Sequence, residues 1–339
     1  MDEVVARLLA ALPDDRVRQN AEPRGRSAEI SPSERSGSAC LVDTTRAAIA
    51  ARSSDRSGLA GEAGARVVVR PRTTAEVARV MRIADETRTP VVPQGRLTGL
   101  AGGANAIAGA ILLDVSGMDR ILRVDREELA AVVQPGVIVA DLQKAAREHG
   151  LFYAPDPASA RIASIGGTVA TNAGGMRAVK YGVTRDWVRS LEVVTADGSV
   201  VRTRPQTVKA VAGYDLTGLV VGSEGTLAVV TEATVRLIPA PAAPTGIAAT
   251  FRDVPAALGA VAGIITGGAL PATIELLDEA SIRAIRRYAA DGDDPEARFA
   301  AEALPEGAGA WIVVATDTPT AAADLRRYEH ACRENGAQT

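Results

Sequence analysis

The fold is decided by the stretch S-I-G-G-T-V-A-T-N-A-G-G, residues 164–175, which places four glycines among small and hydroxylated side chains. Glycine lets the backbone adopt positive φ and lets a ligand approach the amide groups without an intervening Cβ. Successive amide N–H groups in such a segment form a concavity that binds anions. The stretch therefore predicts an anion-binding segment.

Two further segments share this character: P-Q-G-R-L-T-G-L-A-G-G at residues 93–103 and G-S-E-G-T-L at residues 222–227. A single glycine-rich segment is usually only a turn, but three that carry Thr, Ser or Asn favour a phosphate-bearing ligand. The chain lacks the G-x-G-x-x-G motif of Rossmann folds and the G-x-x-x-x-G-K-[ST] motif of P-loops. We therefore expect loops, rather than the first helix of a βαβ unit, to hold a pyrophosphate.

Composition excludes several classes of protein. The 339 residues carry 38 basic and 41 acidic side chains, a net charge of −3, and ten aromatic residues, which argues against a nucleic-acid surface. The only histidines are His149 and His330, which argues against a zinc enzyme that needs two or three His ligands unless a partner supplies ligands. The two cysteines, Cys40 and Cys332, lie near opposite ends of the sequence and predict no disulfide framework.

The sequence shows no sign of secretion or of a membrane span. It opens with an acidic stretch interrupted by Pro13, unlike a secretory signal. The uncharged stretch 254–274 is built from Ala and Gly and broken by Pro255 and Pro271, which favours a buried helix. We therefore expect a cytoplasmic protein that would be peripheral to the inner membrane only through a partner.

The pattern of elements predicts an α+β protein in three parts. Residues 1–65 are expected to form an N-terminal helix over about 1–20 and an irregular segment over 21–65. Thr73 and Glu76 form a predicted capping box, and Asp197-Gly198 predicts a two-residue hairpin. Residues 66–240 form the predicted binding domain, and the strands and helices beyond 245 predict a partial, ferredoxin-like cap that runs to residue 339.

Taken together, these segments resemble the FAD-linked oxidases with a PCMH-type FAD-binding domain, a branch of the vanillyl-alcohol-oxidase-like superfamily. The most similar branch contains the glycolate oxidase D-subunit, D-lactate dehydrogenase and D-2-hydroxyglutarate dehydrogenase. The resemblance covers roughly residues 66–290. It rests on Val67–Pro71, Thr74–Val77, Val91–Gly103, Pro155–Pro157, Ile165–Gly175, Lys180–Gly182, Gly222–Leu227, Thr231–Glu232 and, more weakly, Pro271–Ile282.

The resemblance implies a two-subdomain fold that holds FAD between its subdomains, with the cofactor bound by residues of the three glycine-rich segments. Arg96 stands where the family usually has a small residue. It would either be strained, if its φ is positive, or pair with the pyrophosphate. Thr168 stands where Asn is common. The implied cofactor-binding residues are Gly95, Arg96, Leu97, Thr98, Gly99 and Leu100 around the pyrophosphate; Pro155, Ser164, Gly167 and Thr168 beside it; Thr171 and Gly174 on the flavin side; and Glu224, Gly225 and Val230 near the adenosine and ribitol.

The implied reaction is oxidation of a D-2-hydroxy acid, of the D-lactate or glycolate class, by hydride transfer to flavin N5, with electrons leaving to an acceptor. The family's C-terminal His residues and acidic residue are absent, so no catalytic or metal-binding residue is predicted, and the Asp291–Asp294 cluster is expected to be a loop. No His precedes His149 and no Cys lies in the glycine-rich segments, which predicts non-covalent FAD.

Two alternatives remain open at the level of sequence. The chain could be an FAD-binding fragment or subunit, C-terminally shortened, that needs a second chain for the catalytic half and is inactive alone. It could also be an N-acetylenolpyruvylglucosamine reductase-like protein or a molybdenum-hydroxylase FAD subunit, although Thr171–Gly175 and Gly222–Thr226 fit the hydroxy-acid branch better.

Overall fold

A computed structural model describes residues 2–12, 40–62, 64–292, 295–302, 304 and 307–338. The chain divides into two compact units. Unit 1 contains Met1–Ala173 and Val183–Pro239, and unit 2 contains Gly174–Gly182 and Ala240–Thr339.

The first sheet of unit 1 has the order β1-β2-β4-β3, in which β2 and β3 run parallel to β4 and β1 pairs antiparallel with β2. The strands are β1 (Leu41–Asp43), β2 (Val67–Arg70), β3 (Val91–Gln94) and β4 (Ile111–Asp114), and the helices around them are α1 (Glu3–Ala11), α2 (Arg46–Ala51) and α3 (Thr74–Glu86).

Helix α3 begins as the sequence predicts. The Thr73 hydroxyl accepts a hydrogen bond from the Glu76 amide, and the Glu76 carboxylate accepts one from the Thr73 amide, which confirms the capping box. Its apolar face, with Val77 and Val80, packs in one core with Val67 of the sheet and with α1. Burial of this face, rather than helix propensity alone, stabilises the helix.

The expectation of an irregular segment over 21–65 is wrong for residues 41–51, which form β1 and α2. The Thr45 hydroxyl accepts a hydrogen bond from the Ala48 amide and so caps α2. Strand β1 owes its structure to pairing with β2, about 25 positions later, and a local sequence pattern does not show such pairing. Residues 13–39, which include the end of the predicted N-terminal helix, lie outside the described residues.

The second sheet of unit 1 is antiparallel, with the order β5-β6-β10-β8-β9. Strands β8 and β9 flank Asp197-Gly198, so the predicted hairpin is confirmed, but its connection is longer than two residues, because β8 ends at Val194 and β9 begins at Val200. The strands are β5 (Ile121–Asp125), β6 (Ala130–Val133), β8 (Val188–Val194), β9 (Val200–Arg202) and β10 (Val229–Arg236); β7 (Leu151–Phe152) pairs with β11 (Ile238–Pro239); and the helices are α4 (Val139–Glu148), α5 (Ile165–Thr171), α6 (Ala178–Tyr181, in unit 2) and α7 (Leu216–Val220).

Unit 2 is built on three antiparallel strands in the order β12-β14-β13. Strands β12 and β13 are therefore parallel to each other and are joined by α8, while β14 lies between them, which is the split βαβ arrangement of ferredoxin-like folds. The elements are β12 (Thr245–Phe251), α8 (Val254–Thr266), β13 (Thr273–Asp278), α9 (Glu279–Asp291), α10 (Pro295–Glu302), β14 (Ala310–Thr316) and α11 (Ala321–Glu334).

The uncharged stretch 254–274 contains α8, which buries Ala257, Ala260 and Ile264 against the sheet and α11. The predicted buried helix is therefore confirmed, and so is the α+β class with a partial ferredoxin-like cap. Helix α10 was not predicted. Within the part of the chain that the structure describes, no helix has both the length and the apolar character to cross a bilayer.

Candidate cofactor-binding site

The three glycine-rich segments meet around a cavity of about 440 Å³ in unit 1. A smaller cavity of about 60 Å³ shares part of this lining. Among the predicted site residues, the larger cavity is lined by Gly95, Arg96, Leu97, Thr98, Gly99, Leu100, Gly167, Thr168, Thr171 and Glu224. The smaller one is lined by Gly95, Gly167, Glu224, Gly225 and Val230.

Three predicted residues line neither of these two cavities. Ser164 is buried, and its hydroxyl accepts a hydrogen bond from the Gly167 amide at 3.3 Å. The Pro155 carbonyl accepts a hydrogen bond from Gln143 Nε2 at 3.0 Å. Gly174 belongs to unit 2. Ser164 and Pro155 thus hold neighbouring backbone in place.

Asp55 lines the larger cavity and was missed by sequence reasoning, because it lies in the segment expected to be irregular. Its carboxylate accepts hydrogen bonds from the amides of Gly102, at 3.0 Å, and Ser57, at 2.9 Å. Burial opposes ionisation of Asp55, but hydrogen bonds from Ser57, Gly102 and Ala104 outweigh it and lower its pKa. The ionised carboxylate therefore fixes the end of the first glycine-rich segment.

Each glycine-rich segment holds one non-glycine residue in the left-handed region. These residues are Leu97, with φ 56°, Asn172, with φ 49°, and Glu224, with φ 52°. Such a conformation costs roughly 1–3 kcal/mol for each residue and persists where the surroundings impose it, often at functional sites. Arg96 is not among the positive-φ residues, so the strain considered for it falls on its neighbour Leu97 instead.

The segments approach one another so closely that some glycines have no room for a side chain. An ideal Cβ on Gly95 would lie 2.6 Å from Ser164 Oγ, and one on Gly103 would lie 2.4 Å from Glu224 Oε2. At Gly95 the neighbour is a buried side chain, so contact between the segments favours glycine there, whereas at Gly103 the exposed Glu224 carboxylate can move aside.

The second segment is not a loop throughout, because residues 165–171 form α5. Two glycines lower its intrinsic helix propensity and conceal it in the sequence. Gly166 nevertheless has a packing role, since a Cβ there would lie 2.5 Å from Pro135 Cβ. The sequence predicts that the pyrophosphate is held mainly by loops, rather than by the first helix of a βαβ unit, and the cavity lining combines loop residues with this short helix.

A buried charge network lies directly behind the first segment. Asp114, which is fully buried, pairs with Arg52 at 2.9 Å and with Arg70 at 2.7 Å. Burial would raise the pKa of Asp114, but the two guanidinium groups outweigh it and lower the pKa. Within this network two cations outnumber one carboxylate, whereas the cavity lining carries one cation, Arg96, and two carboxylates, Asp55 and Glu224.

The same network fixes the backbone of the segment. Arg52 donates from its terminal nitrogen to the Gly95 carbonyl at 2.7 Å and from Nε to Gln94 Oε1 at 3.0 Å. Gln94 is 1% exposed and donates in turn to the carbonyls of Arg52, at 2.9 Å, and Ala104, at 2.7 Å. Arg52 and Gln94 thereby hold both ends of the 95–104 loop, which reduces the entropy lost when a ligand binds.

Arg96 projects from this loop as the exposed cation of the cavity lining. It makes no hydrogen bond or ion pair with any residue that the structure describes. The guanidinium is therefore available to an anionic ligand, for which its planar donor set is well suited. Glycine backbone, hydroxyl side chains and the Arg96 guanidinium together fit a pyrophosphate-bearing cofactor.

Neither histidine lies in the lining of the two cavities. His149 Nδ1 lies 2.9 Å from the Ala145 carbonyl at the end of α4, and His330 lies 3.3 Å from Glu334 on α11. Both cysteines are buried. Within the described ranges, no cluster of three or more His, Cys, Asp or Glu side chains could hold a metal ion. Asp293 and Asp294 of the predicted acidic loop lie outside the described residues.

Comparison with known proteins agrees with the site. Residues 65–204 match the family described as FAD binding domain, and residues 240–339 match the family described as FAD linked oxidases, C-terminal domain. The chain belongs to the FAD-linked oxidases with a PCMH-type FAD-binding domain, and its cofactor is FAD.

Among its relatives is a glycolate oxidase subunit GlcD of Bacillus subtilis (strain 168), which is 43% identical over 272 residues, 80% of this chain and 56% of that protein. A D-lactate dehydrogenase of Anaerostipes hadrus is 39% identical over 225 residues, 66% of this chain and 47% of that protein. The chain thus spans about half the length of the curated relatives it matches.

The fold is similar to that of an alkyldihydroxyacetonephosphate synthase, with a TM-score of 0.73 at 20% sequence identity. The match covers 88% of this chain and 57% of the synthase chain. At this identity the likeness concerns the fold alone.

Proposed function

We propose that this chain binds FAD non-covalently and takes part in oxidising a D-2-hydroxy acid, of the D-lactate or glycolate class, to the 2-oxo acid. The observation that carries the proposal is the cavity where three glycine-rich segments meet, with the exposed Arg96 guanidinium in its lining. The substrate class is supported by the names of the relatives, a glycolate oxidase subunit and a D-lactate dehydrogenase.

In this proposal the backbone of Gly95–Leu100 and the Arg96 guanidinium bind the pyrophosphate. Thr168 and Thr171, on α5, line the same cavity, and Glu224, Gly225 and Val230 bound the smaller one. When bound, FAD supplies the hydride acceptor. The chain's own residues bind and orient the cofactor, and Arg52 and Gln94 fix the loop that does so.

The proposed division of labour assigns cofactor binding to residues 66–240 and the cap to residues 245–339. We assign no catalytic base and no metal ligand to this chain, and a small hydroxy acid and an electron acceptor or complementary subunit would be its partners. A location in the cytoplasm is also part of the proposal.

The test is the visible spectrum of the purified chain after reconstitution with FAD, recorded anaerobically before and after addition of D-lactate or glycolate. We expect flavin absorbance that is released by acid precipitation, because no His or Cys is among the described residues that line the cavity. Bleaching by a D-2-hydroxy acid would show that the chain oxidises its substrate without a second subunit. L-Lactate is the matched control, since it differs only in the configuration at the reacting carbon.

Each part of the proposal can fail separately. Flavin that stays in the acid precipitate would contradict non-covalent binding. Bound flavin that no hydroxy acid bleaches would contradict independent oxidation by this chain and leave cofactor binding intact. A chain that takes up no flavin at all would contradict the assignment of the cavity.

A further inference from the structure

Residues Gly174–Gly182 form an excursion from unit 1. The chain leaves that unit after Ala173 and returns to it at Val183, while the nine residues between are grouped with unit 2. The base of the excursion is closed within unit 1, because Thr184 donates to the Ala173 carbonyl from its amide at 3.1 Å and from its hydroxyl at 2.8 Å. The excursion directly continues the second glycine-rich segment.

One carboxylate in unit 2 holds the far end of this excursion. Asp317 pairs with the ammonium of Lys180 and accepts a hydrogen bond from the Tyr181 hydroxyl at 2.5 Å. The Lys180 ammonium also lies 5.1 Å from the centroid of the Tyr181 ring, a cation–π distance. Burial, and then the bond to Asp317, raise the pKa of Tyr181, so the hydroxyl remains protonated as a donor at neutral pH.

Asp317 is itself fixed in position. It directly follows β14 and is 6% exposed, and its carbonyl accepts a hydrogen bond from the Ala242 amide at 3.1 Å. Nearby, Asp324 accepts hydrogen bonds from the hydroxyls of Thr318 and Thr316. These bonds, with smaller contributions from the charges of Arg327 and Lys180, lower the Asp324 pKa against the effect of burial. Lys180 is therefore paired with Asp317 and lies within electrostatic reach of Asp324.

The near end of the excursion cannot hold itself in the same way. Gly174 and Gly175 have no side chains and lose more conformational freedom on ordering than any other residue type. The last turn of α5 ends immediately before them, at Asn172, in the left-handed conformation. One bond within the excursion, from the Ala178 amide to the Gly175 carbonyl at 3.0 Å, holds these glycines, and the closed base at Ala173 and the anchored pair Lys180-Tyr181 hold the two ends.

We propose that Asp317 is a positioning residue for the cofactor: by holding Lys180 and Tyr181 it orders Gly174–Gly182, and with it the end of the second glycine-rich segment. The inference rests on the proposed function. Its consequence is a coupling free energy between a carboxylate in unit 2 and the affinity for FAD. No contact between Asp317 and the cofactor is required.

The test compares Asp317→Asn and Tyr181→Phe with the matched control Glu275→Gln, which removes one exposed carboxylate from β13 in the same unit. Hydrogen exchange of the cofactor-free proteins reports the order of residues 174–182. Titrations with FAD and with inorganic pyrophosphate report affinity. Pyrophosphate probes the cavity at Gly95–Leu100, whereas the much larger FAD also reaches beyond it.

In Asp317→Asn we expect faster exchange at Gly174–Gly182 and an FAD dissociation constant raised about five- to tenfold, the lower end of the usual range for coupling between two sites. Pyrophosphate binding should stay within about twofold of wild type, the scatter expected for a site without shared partners. Tyr181→Phe should show a smaller change in the same direction, and Glu275→Gln none. Because Tyr181→Phe removes a single oxygen, it decides the question if Asp317→Asn does not fold.

Unchanged exchange at 174–182 in both variants would overturn the inference, and so would an equal loss of FAD and pyrophosphate affinity, which indicates a general loss of structure. If wild-type protein binds no FAD, the proposed function fails, whereas exchange of the cofactor-free protein still decides whether Asp317 orders the excursion.

Discussion

Gly95→Ala tests whether contact between the first and second glycine-rich segments requires glycine. The added Cβ would lie 2.6 Å from Ser164 Oγ, while its next neighbours, Gly167 Cα and N, lie at an ordinary 3.7 Å. Ser164 is 1% exposed, so its hydroxyl can avoid the clash only by giving up its hydrogen bond from the Gly167 amide.

The expected cost follows from these contacts. Loss of an N-cap costs about 1 kcal/mol, and a buried hydroxyl without a partner costs about 1–3 kcal/mol. The lower unfolded-state entropy of Ala offsets about 0.4–1 kcal/mol. Gly95→Ala should therefore lower the free energy of unfolding of unit 1 by about 2 kcal/mol.

The assay is urea denaturation followed by tryptophan fluorescence. Trp187 lies in unit 1 and Trp311 in unit 2, so a Trp311→Phe background restricts the signal to unit 1. Gly99→Ala is the stability control, because its Cβ would meet only Asp55 Oδ2 at 3.4 Å and the loss should be absent.

The decisive comparison is the double variant with Ser164→Ala. Removing the hydroxyl removes the clash, so Gly95→Ala should cost nothing further in that background, and the two substitutions should couple by about 2 kcal/mol. An additive double variant would refute the argument, since the cost would then come from some contact other than Ser164 Oγ.

Three other perturbations have equally definite expectations. Since the folded-state pKa of Asp114 is lowered, its contribution to stability is present above the ordinary Asp pKa of about 4 and is lost as pH falls through the folded value. The unfolding free energy of Asp114→Asn, measured against pH, should lack this decline on the acid side. Parallel pH profiles of Asp114→Asn and the wild type would contradict the assignment. Asn172→Ala should lower the free energy of unfolding by about 2 kcal/mol in urea titrations, because Ala is strained at the left-handed φ of 49° and no longer accepts the hydrogen bond from the Arg185 amide. Asn172→Gly loses only the hydrogen bond, so its free energy of unfolding should fall by about 1 kcal/mol. Equal losses in the two variants would show that φ is irrelevant. Arg96→Ala should weaken calorimetric pyrophosphate binding about tenfold and leave the unfolding free energy unchanged, and undiminished affinity would exclude the guanidinium from the site.

The sequence was sufficient for elements whose cause is local. The capping box of α3 and the Asp197-Gly198 hairpin each follow from capping or turn chemistry within a short window. The glycine-rich segments were likewise visible, because positive φ and close backbone approach both select glycine.

What could not be predicted depends on contacts between distant positions. Arg52 lies in a stretch that reads as irregular, and its role appears only once Gln94, Gly95 and Asp114 surround it, 42 or more positions later. Helix α5 was concealed by Gly166, whose requirement comes from Pro135 rather than from the helix itself. Non-local packing overrode local propensity in both cases.

The chain has only three lysines, Lys144, Lys180 and Lys209, and the structure gives them unequal chemical reactivity. Lys144 and Lys209 are exposed, whereas Lys180 is bound to a buried carboxylate. An amine-acylating reagent should therefore modify the first two rapidly and Lys180 slowly. Peptide mass spectrometry of a timed acylation would then follow how the Lys180 side chain separates from Asp317 in the native protein, without any introduced label.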